Sequence, residues 1–465
     1  MAISNINLLG DNNCIAAIAT GMTDAGIGIV RVSGKDSIKL LAPFFSDIDL
    51  LSCKSHTIHY GHFSYKGEVI DEVMVSIFLA PRSYTKENVV EINCHGGMFI
   101  LQKVLETILT TDIRLAEPGE FTKRAFLNGR IDLSQSEAVM DLINSNNDFS
   151  RRASLQHLKG NLSEKIKAIR NKLIRECAFI EAALDDPENY SLEDYDKKLF
   201  SIITEIKDEL LSMKNNFNEG SIMKYGINTV IIGKPNVGKS SLLNMLSGEE
   251  YAIVTEIPGT TRDIISNQIN FNGLPLNLID TAGIRETDDV VEKIGVKKSL
   301  SYINKADLII LMLDNNSNIS EEDIDIFKHI LEIKTQIITV INKSDLQKNL
   351  NVDKIPKKLK ENLISISILN NEGKEQISKK IKDIFFSGKL VNPSEVLISN
   401  RRQLQEIDNA IRSIDFCIKT IEDKMTEDLY TIDLMDAYTS LGRIIGESVE
   451  DDLVNKIFSE FCMGK

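Results

Sequence analysis

Apolar positions along the chain fall into two periods, and the change from one to the other divides it. Residues 15–20 and 28–33 read as strands, 35–45 as an amphipathic helix, and 56–65 and 69–79 as further strands. Residues 89–93 predict another strand, ended by a turn at Cys94-His95-Gly96-Gly97 and followed by a helix over 99–109. Together these make an α/β or α+β unit that closes near residue 118.

Beyond it the period becomes helical. Leu155, Leu158, Leu162, Ile166, Ile169, Leu173, Ile180 and Leu184 keep the three-and-four spacing of one face. They predict a single helix over 151–184, roughly 50 Å long at about 1.5 Å per residue. Residues 185–196 are acidic and contain Pro187, the mark of a solvated connection. A second face, Leu404, Ile407, Ile411, Ile414, Ile418 and Ile421, appears only after a stretch of a different kind, with more helix from Asp428 onward. The simplest architecture is one helical bundle assembled from both sides of an inserted domain; two separate helical domains are the alternative.

The intervening stretch carries the chemistry. Thr229 to Ile232 form a strand-like run that leads into Gly233-Lys234-Pro235-Asn236-Val237-Gly238-Lys239-Ser240, followed by Ser241. This is a phosphate loop: its glycines let backbone N–H groups face phosphate oxygens, Lys239 supplies a cation, and Ser240 supplies a magnesium ligand. After the strand 276–279 come Asp280, Thr281, Ala282 and Gly283, which place a carboxylate for water-mediated magnesium contact and an N–H near the terminal phosphate. After the strand 337–341 come Asn342, Lys343, Ser344 and Asp345. A carboxylate at Asp345 accepts from the ring N–H and the amino group of guanine together, a pair that adenine lacks, so the nucleotide is GTP. Gly259-Thr260-Thr261-Arg262-Asp263 offers hydroxyls for a switch loop, and Ser367 falls in the last base-contacting loop, where Ile368 replaces the usual alanine.

Ile284 stands where Ras-type GTPases carry the glutamine that orients water, so another polar group must act. Glu292 is the candidate, against a plain surface carboxylate among Glu286, Asp288 and Asp289. Arg262 and Arg285 are the candidate arginine fingers; alternatively, Asn236 with switch-loop carbonyls suits a monovalent cation.

Composition narrows the class. At 465 residues the chain predicts about three domains. A formal net charge of −14 and a pI near 5.1 argue against nucleic-acid binding by a general basic surface. Six cysteines (14, 53, 94, 177, 417, 462) without a C-x-x-C pair suit reduced thiols, and no apolar run reaches the ~20 residues of a membrane span, so the expected setting is the cytoplasm with no membrane partner. His56, His59 and His62 invite a zinc site, but residues three apart on a strand alternate faces and cannot converge.

Over its whole length the chain resembles the MnmE (TrmE) family of tRNA-modifying GTPases. The likeness rests on 28–34 (Gly-Ile-Val-Arg-Val-Ser-Gly), 91–97, the runs 117–122 and 130–135, the GTPase set, and the terminal Phe461-Cys462-Met463-Gly464-Lys465. It implies a multidomain α/β and all-α fold: an N-terminal α/β folate-binding and dimerisation domain (1–118), a discontinuous helical bundle (119–216 and 386–465) and an inserted Ras-like P-loop GTPase domain (217–385). By the same likeness the protein is a homodimer that forms a heterotetramer with an MnmG (GidA)-type flavoprotein. It helps place an aminomethyl-type group on the wobble uridine of certain tRNAs, using a tetrahydrofolate one-carbon donor; a regulatory GTPase of ribosome assembly is the alternative. Carried over by position, Asn236, Thr255, Ile257 and Thr260 surround potassium, Ser240 and Thr261 bind magnesium, and Glu292 acts on the water. Arg31, Glu91, Arg130 and Lys465 hold the folate, Arg130 standing where some members have lysine. Cys462 is a nucleophile or acid candidate, with Met463 in place of the family's isoleucine.

Overall fold

Two kinds of strand come from two kinds of pattern. In β3, Thr57–Tyr65, apolar and polar positions alternate, and Ile58 and Tyr60 stay in solvent while Phe63 is buried. In β10, Leu308–Asp314, a continuous apolar run is buried on both faces. The first strand lies in a mainly antiparallel sheet and is covered on one side, and the second lies in a mainly parallel sheet and is covered on both. The computed structural model describes residues 13–21, 25–247, 266–279, 306–386, 398–447, 449, 451–459, 461 and 464. The chain divides into two units, one of Met1–Ile143, His157–Lys207 and Gln405–Lys465, the other of Asn144–Gln156 and Asp208–Leu404.

In the first unit β1 (Cys14–Ile18), β2 (Ala25–Ser33), β3, β4 (Glu68–Phe78), β5 (Val89–Gly96) and β6 (Ile113–Leu115) form one sheet in the order β3-β4-β5-β2-β1-β6. Its inner face, including Val30, Val32, Val75, Val90 and Ile92, packs on Leu101, Val104 and Ile108 of the helix Met98–Ile108. β5 runs past the expected turn: Cys94 pairs with Gly28 and Gly96 with Ala25, so the ladder to β2 keeps 94–96 extended. The amphipathic stretch 35–45 holds only a short helix, Ser37–Leu41, followed by a single 3₁₀ turn, Ala42–Phe44, where Pro43 lacks a backbone donor. Helix Glu120–Leu127 is anchored by the buried Arg124, which bonds Glu120 at 3.0 Å and Glu87 at 3.1 Å.

The single helix expected over 151–184 is two. Asp148–Leu158 stops before Gly160, whose φ of +93° breaks the hydrogen-bond ladder, and Asn161–Asp185 starts anew. A further helix, Tyr195–Tyr225, ends the acidic connection and buries Leu199, Ile203 and Ile206 at helical spacing. Asn161–Asp185 packs directly on Glu427–Ile445: the Arg170 guanidinium lies 3.9 Å from the Tyr438 ring and donates to the Tyr438 carbonyl at 3.2 Å. Segments from both sides of the nucleotide-binding stretch therefore share one bundle, as the spacing predicts.

In the second unit β7 (Ile227–Ile232), β8 (Ser266–Phe271), β9 (Leu274–Ile279), β10, β11 (Gln336–Asn342) and β12 (Leu363–Ser365) are ordered β12-β11-β10-β7-β9-β8. Every pairing is parallel except β8 with β9. Leu308, Ile310 and Met312 face one core, with Leu242 and Ile377; Ile309, Leu311 and Leu313 face the other, with Ile326 and Ile330. β7 lies between β9 on one side and β10 on the other, so the connections from it run in opposite directions across the sheet. At such a switch point open α/β sheets bind ligands in a crevice outside the strand ends.

Candidate functional site

The phosphate loop leaves β7 at that crevice. Asn236 adopts a left-handed φ of +61° and Gly238 one of +101°. A Cβ on Gly238 would stand 2.4 Å from Asn342 Nδ2, so only glycine fits. Val237 is buried beneath the loop, and Asn236, Ser240 and Ser241 are exposed at its rim, the two serines in the first turn of the helix Lys239–Ser247. Lys239 Nζ donates to the Gly233 carbonyl at 3.0 Å and the Lys234 carbonyl at 2.8 Å, folding back over its own loop. Helix N–H groups and a cation thus face one spot, the arrangement that receives an anion.

The segments expected to read the base converge on the same place. Asn342 donates to the Val237 carbonyl at 2.9 Å and accepts from the Ile368 N–H at 3.3 Å, joining the phosphate loop to the segment after β12. Ser367 donates to Asp345 Oδ1 at 2.5 Å and orients that carboxylate. Lys343 takes a left-handed φ of +64° and donates to Asp314 Oδ2 at 2.6 Å. Ile368 leaves the loop geometry intact because its contribution to Asn342 is a backbone N–H. Asp314 and Asp323, the latter buried and bonded to Lys234 at 3.1 Å, brace the motif lysines Lys343 and Lys234. The only sequence signal for either was a carboxylate at the end of an apolar strand or in the first turn of a helix.

A second cluster lies in the first unit. Arg31 and Glu91 are cross-strand partners on β2 and β5, and Arg31 Nε donates to Glu91 Oε1 at 2.8 Å. Glu91 Oε2 takes no hydrogen bond among the described residues. The Arg31 guanidinium lies 5.9 Å from the Tyr84 ring and 5.6 Å from that of Phe121, and Arg130 approaches Tyr84 from 4.8 Å. Tyr84 is held in turn by Thr122, 2.9 Å from its hydroxyl. The C-terminal segment closes the group: the Gly464 carbonyl accepts from Arg31 Nη1 at 3.1 Å. Gly464 has a φ of +85°, and a Cβ there would meet the Ile18 carbonyl at 2.3 Å. Arg31, Glu91 and Arg130, far apart in sequence, are therefore neighbours, and Tyr84 is the member that sequence reasoning missed.

Thr255, Ile257, Thr260, Thr261, Asp280, Thr281, Ala282, Gly283, Glu292, Cys462 and Lys465 lie outside the described residues. The three histidines of the zinc pattern take separate partners: His56 bonds Ser55, His59 bonds Thr57 and His62 bonds Asp47.

Residues 14–130 match the family described as GTP-binding protein TrmE N-terminus, and residues 133–462 match the MnmE helical domain. The chain is 50% identical over 456 residues to the tRNA modification GTPase MnmE of Lachnoclostridium phytofermentans, covering 97% of this chain and 99% of that one. It is 47% identical to the protein of the same name from Acetivibrio thermocellus and 43% identical to that from Bacillus pumilus, again covering 97% of this chain and 99% of each relative. With such likeness over nearly the full length of both partners in each comparison, the chain belongs to the MnmE family of tRNA modification GTPases.

Proposed function

We propose that this GTPase acts with an MnmG-type flavoprotein to place an aminomethyl-type group on the wobble uridine of certain tRNAs, drawing its one-carbon unit from a tetrahydrofolate derivative. The observation that carries the folate part is the meeting of Arg31, Glu91, Arg130 and the terminal segment around Tyr84. A pterin presents an amino group beside a ring N–H, and a carboxylate such as Glu91, whose Oε2 takes no hydrogen bond among the described residues, is an acceptor for that pair. The arginines, and Lys465 beside the docked Gly464, suit the anionic parts of the same ligand. Cys462, in the terminal sequence Phe461 to Lys465, is the proposed nucleophile or acid.

In the nucleotide site Ser240 and Thr261 hold magnesium, with Asp280 acting through water. Asn236, Thr255, Ile257 and Thr260 surround potassium, whose charge replaces an arginine finger, and Glu292 acts on the attacking water. What supports this is the exposure of Asn236 and Ser240 beside a loop already shaped for phosphate. The working form is a cytoplasmic homodimer joined to its flavoprotein partner as a heterotetramer. Its domains are 1–118 for folate and dimerisation, 119–216 and 386–465 for the bundle, and 217–385 for the nucleotide.

Mass spectrometry of wobble nucleosides tests the proposal. Cells lacking the protein should lose the aminomethyl-type modification and regain it with the intact chain; an unchanged nucleoside profile in the deletion would refute it.

A further inference from the structure

Alternate residues of β5 leave the core on one side. Val90, Ile92 and Cys94 point inward, and burial pushes the Cys94 thiol up to about 12, so that thiol is chemically quiet. Glu91, Asn93 and His95 occupy the opposite face. His95 stands there in an unusual pairing. Asp71, on β4, accepts from the His95 backbone N–H through Oδ2 at 2.8 Å and from His95 Nδ1 through Oδ1 at 2.6 Å. The Asp71 side chain is 8% exposed and the His95 side chain 67%. A carboxylate loses several kcal/mol of solvation on burial unless its lone pairs are met. Here, among the described residues, both oxygens are met by a single histidine.

A strut between strands needs only the backbone bond. The second bond fixes the ring itself: an ionised carboxylate can only accept, so Nδ1 carries a proton and Nε2 is the atom presented outward. Next to it is a hollow of about 300 Å³ lined by Ile27, Tyr60, Glu72, Met74, Asn93 and His95. Asn93, which lines the hollow, lies between His95 and Glu91 on the same strand face, two residues along β5 from Glu91.

We propose that His95 is the proton donor and acceptor of the reduced-folate site, and that Asp71 is its positioning residue. The inference rests on the folate reading above and adds to it a residue and a role. His95 gives the Nε2 proton to the lone pair of an amine nitrogen on the bound folate: one N–H bond breaks at the ring and one forms on the ligand. The ring is left neutral with Nδ1 still bonded to Asp71, and the reverse transfer returns the proton to Nε2. The groups facing the ring favour its charged form. Asp71 raises the His95 pKa first by its hydrogen bond and then by its charge; Glu72 adds a smaller push, and desolvation opposes them. Tyr60, on β3, is engaged with Glu72. His95 therefore keeps its proton to higher pH than a free imidazole and loses it as pH rises through that elevated value.

Proton NMR of the six histidine rings in the full chain tests this, the His95 signal being assigned by its absence in His95→Gln. The His95 midpoint should fall by about one pH unit in Asp71→Asn. In the unsubstituted chain it should move when the protein is saturated with 5-formyltetrahydrofolate. A structural pair would respond to Asp71→Asn but not to the ligand. Folate binding with an unmoved His95 titration overturns the inference and leaves the folate reading standing; failure of the intact chain to bind folate overturns both.

Discussion

The phosphate loop and the Arg31–Glu91 face both sit on six-stranded sheets, but they are assembled on opposite plans. The loop is built from neighbours in sequence. A strand buried on both faces delivers it, glycine makes room for Asn342, and backbone groups supply most of the binding chemistry. The Arg31–Glu91 face is built from side chains brought together by the fold. Arg31 and Gly464 are 433 positions apart, Arg31 and Glu91 are 60, and Tyr84 enters from a loop. A backbone-built site tolerates few substitutions at a few positions. A side-chain-built site should lose its ligand in graded steps while its neighbours hold their shape.

The largest effect tests the first half of that contrast. Gly238→Ala forces a side chain into a left-handed φ of +101° and against Asn342. Strain of about 1–3 kcal/mol at the backbone, with further cost at the contact, should weaken GTP binding about 100-fold. Titration with a fluorescent GTP analogue checks it, and an affinity within threefold of the intact chain would show that the loop is not constrained as described.

Asn236→Ala should have a smaller effect of a different kind. The side chain is exposed, and its left-handed φ of +61° is one that asparagine tolerates better than alanine, so a modest loss of stability is expected. The informative signal is the cation response: turnover of GTP should exceed that in sodium by about tenfold in potassium for the intact chain, and that ratio should collapse toward one in the variant. Equal rates in both salts for the intact chain would remove potassium from the site.

The contrast also explains what was legible in the sequence. Gly233 to Ser240, Asn342 to Asp345 and Ser367 were readable because each motif is short, follows a strand, and carries its chemistry in adjacent residues. The set Arg31, Glu91 and Arg130 came only from family resemblance, since no periodicity announces a cross-strand pair. Tyr84 and Asp71 were invisible, one in a loop and one on a strand whose partner had yet to be identified. Local readings failed where tertiary pairing took over: β2 holds Cys94 to Gly96 extended, and Gly160 interrupts a helix whose apolar spacing continues across the break. The carboxylates Asp314 and Asp323 became interpretable only when the fold placed Lys343 and Lys234 against them.

The central claim is that one chain holds two separate ligand sites, a backbone-built one for GTP and a side-chain-built one for a reduced folate. Glu91→Gln tests it most directly, because it removes one charge while keeping the size of the side chain and its contact with Arg31. Calorimetric titration of the full chain should show 5-formyltetrahydrofolate binding weakened by about tenfold or more, with GTP affinity unchanged within twofold. Folate affinity equal to that of the intact chain, or a parallel loss of GTP binding, would contradict it.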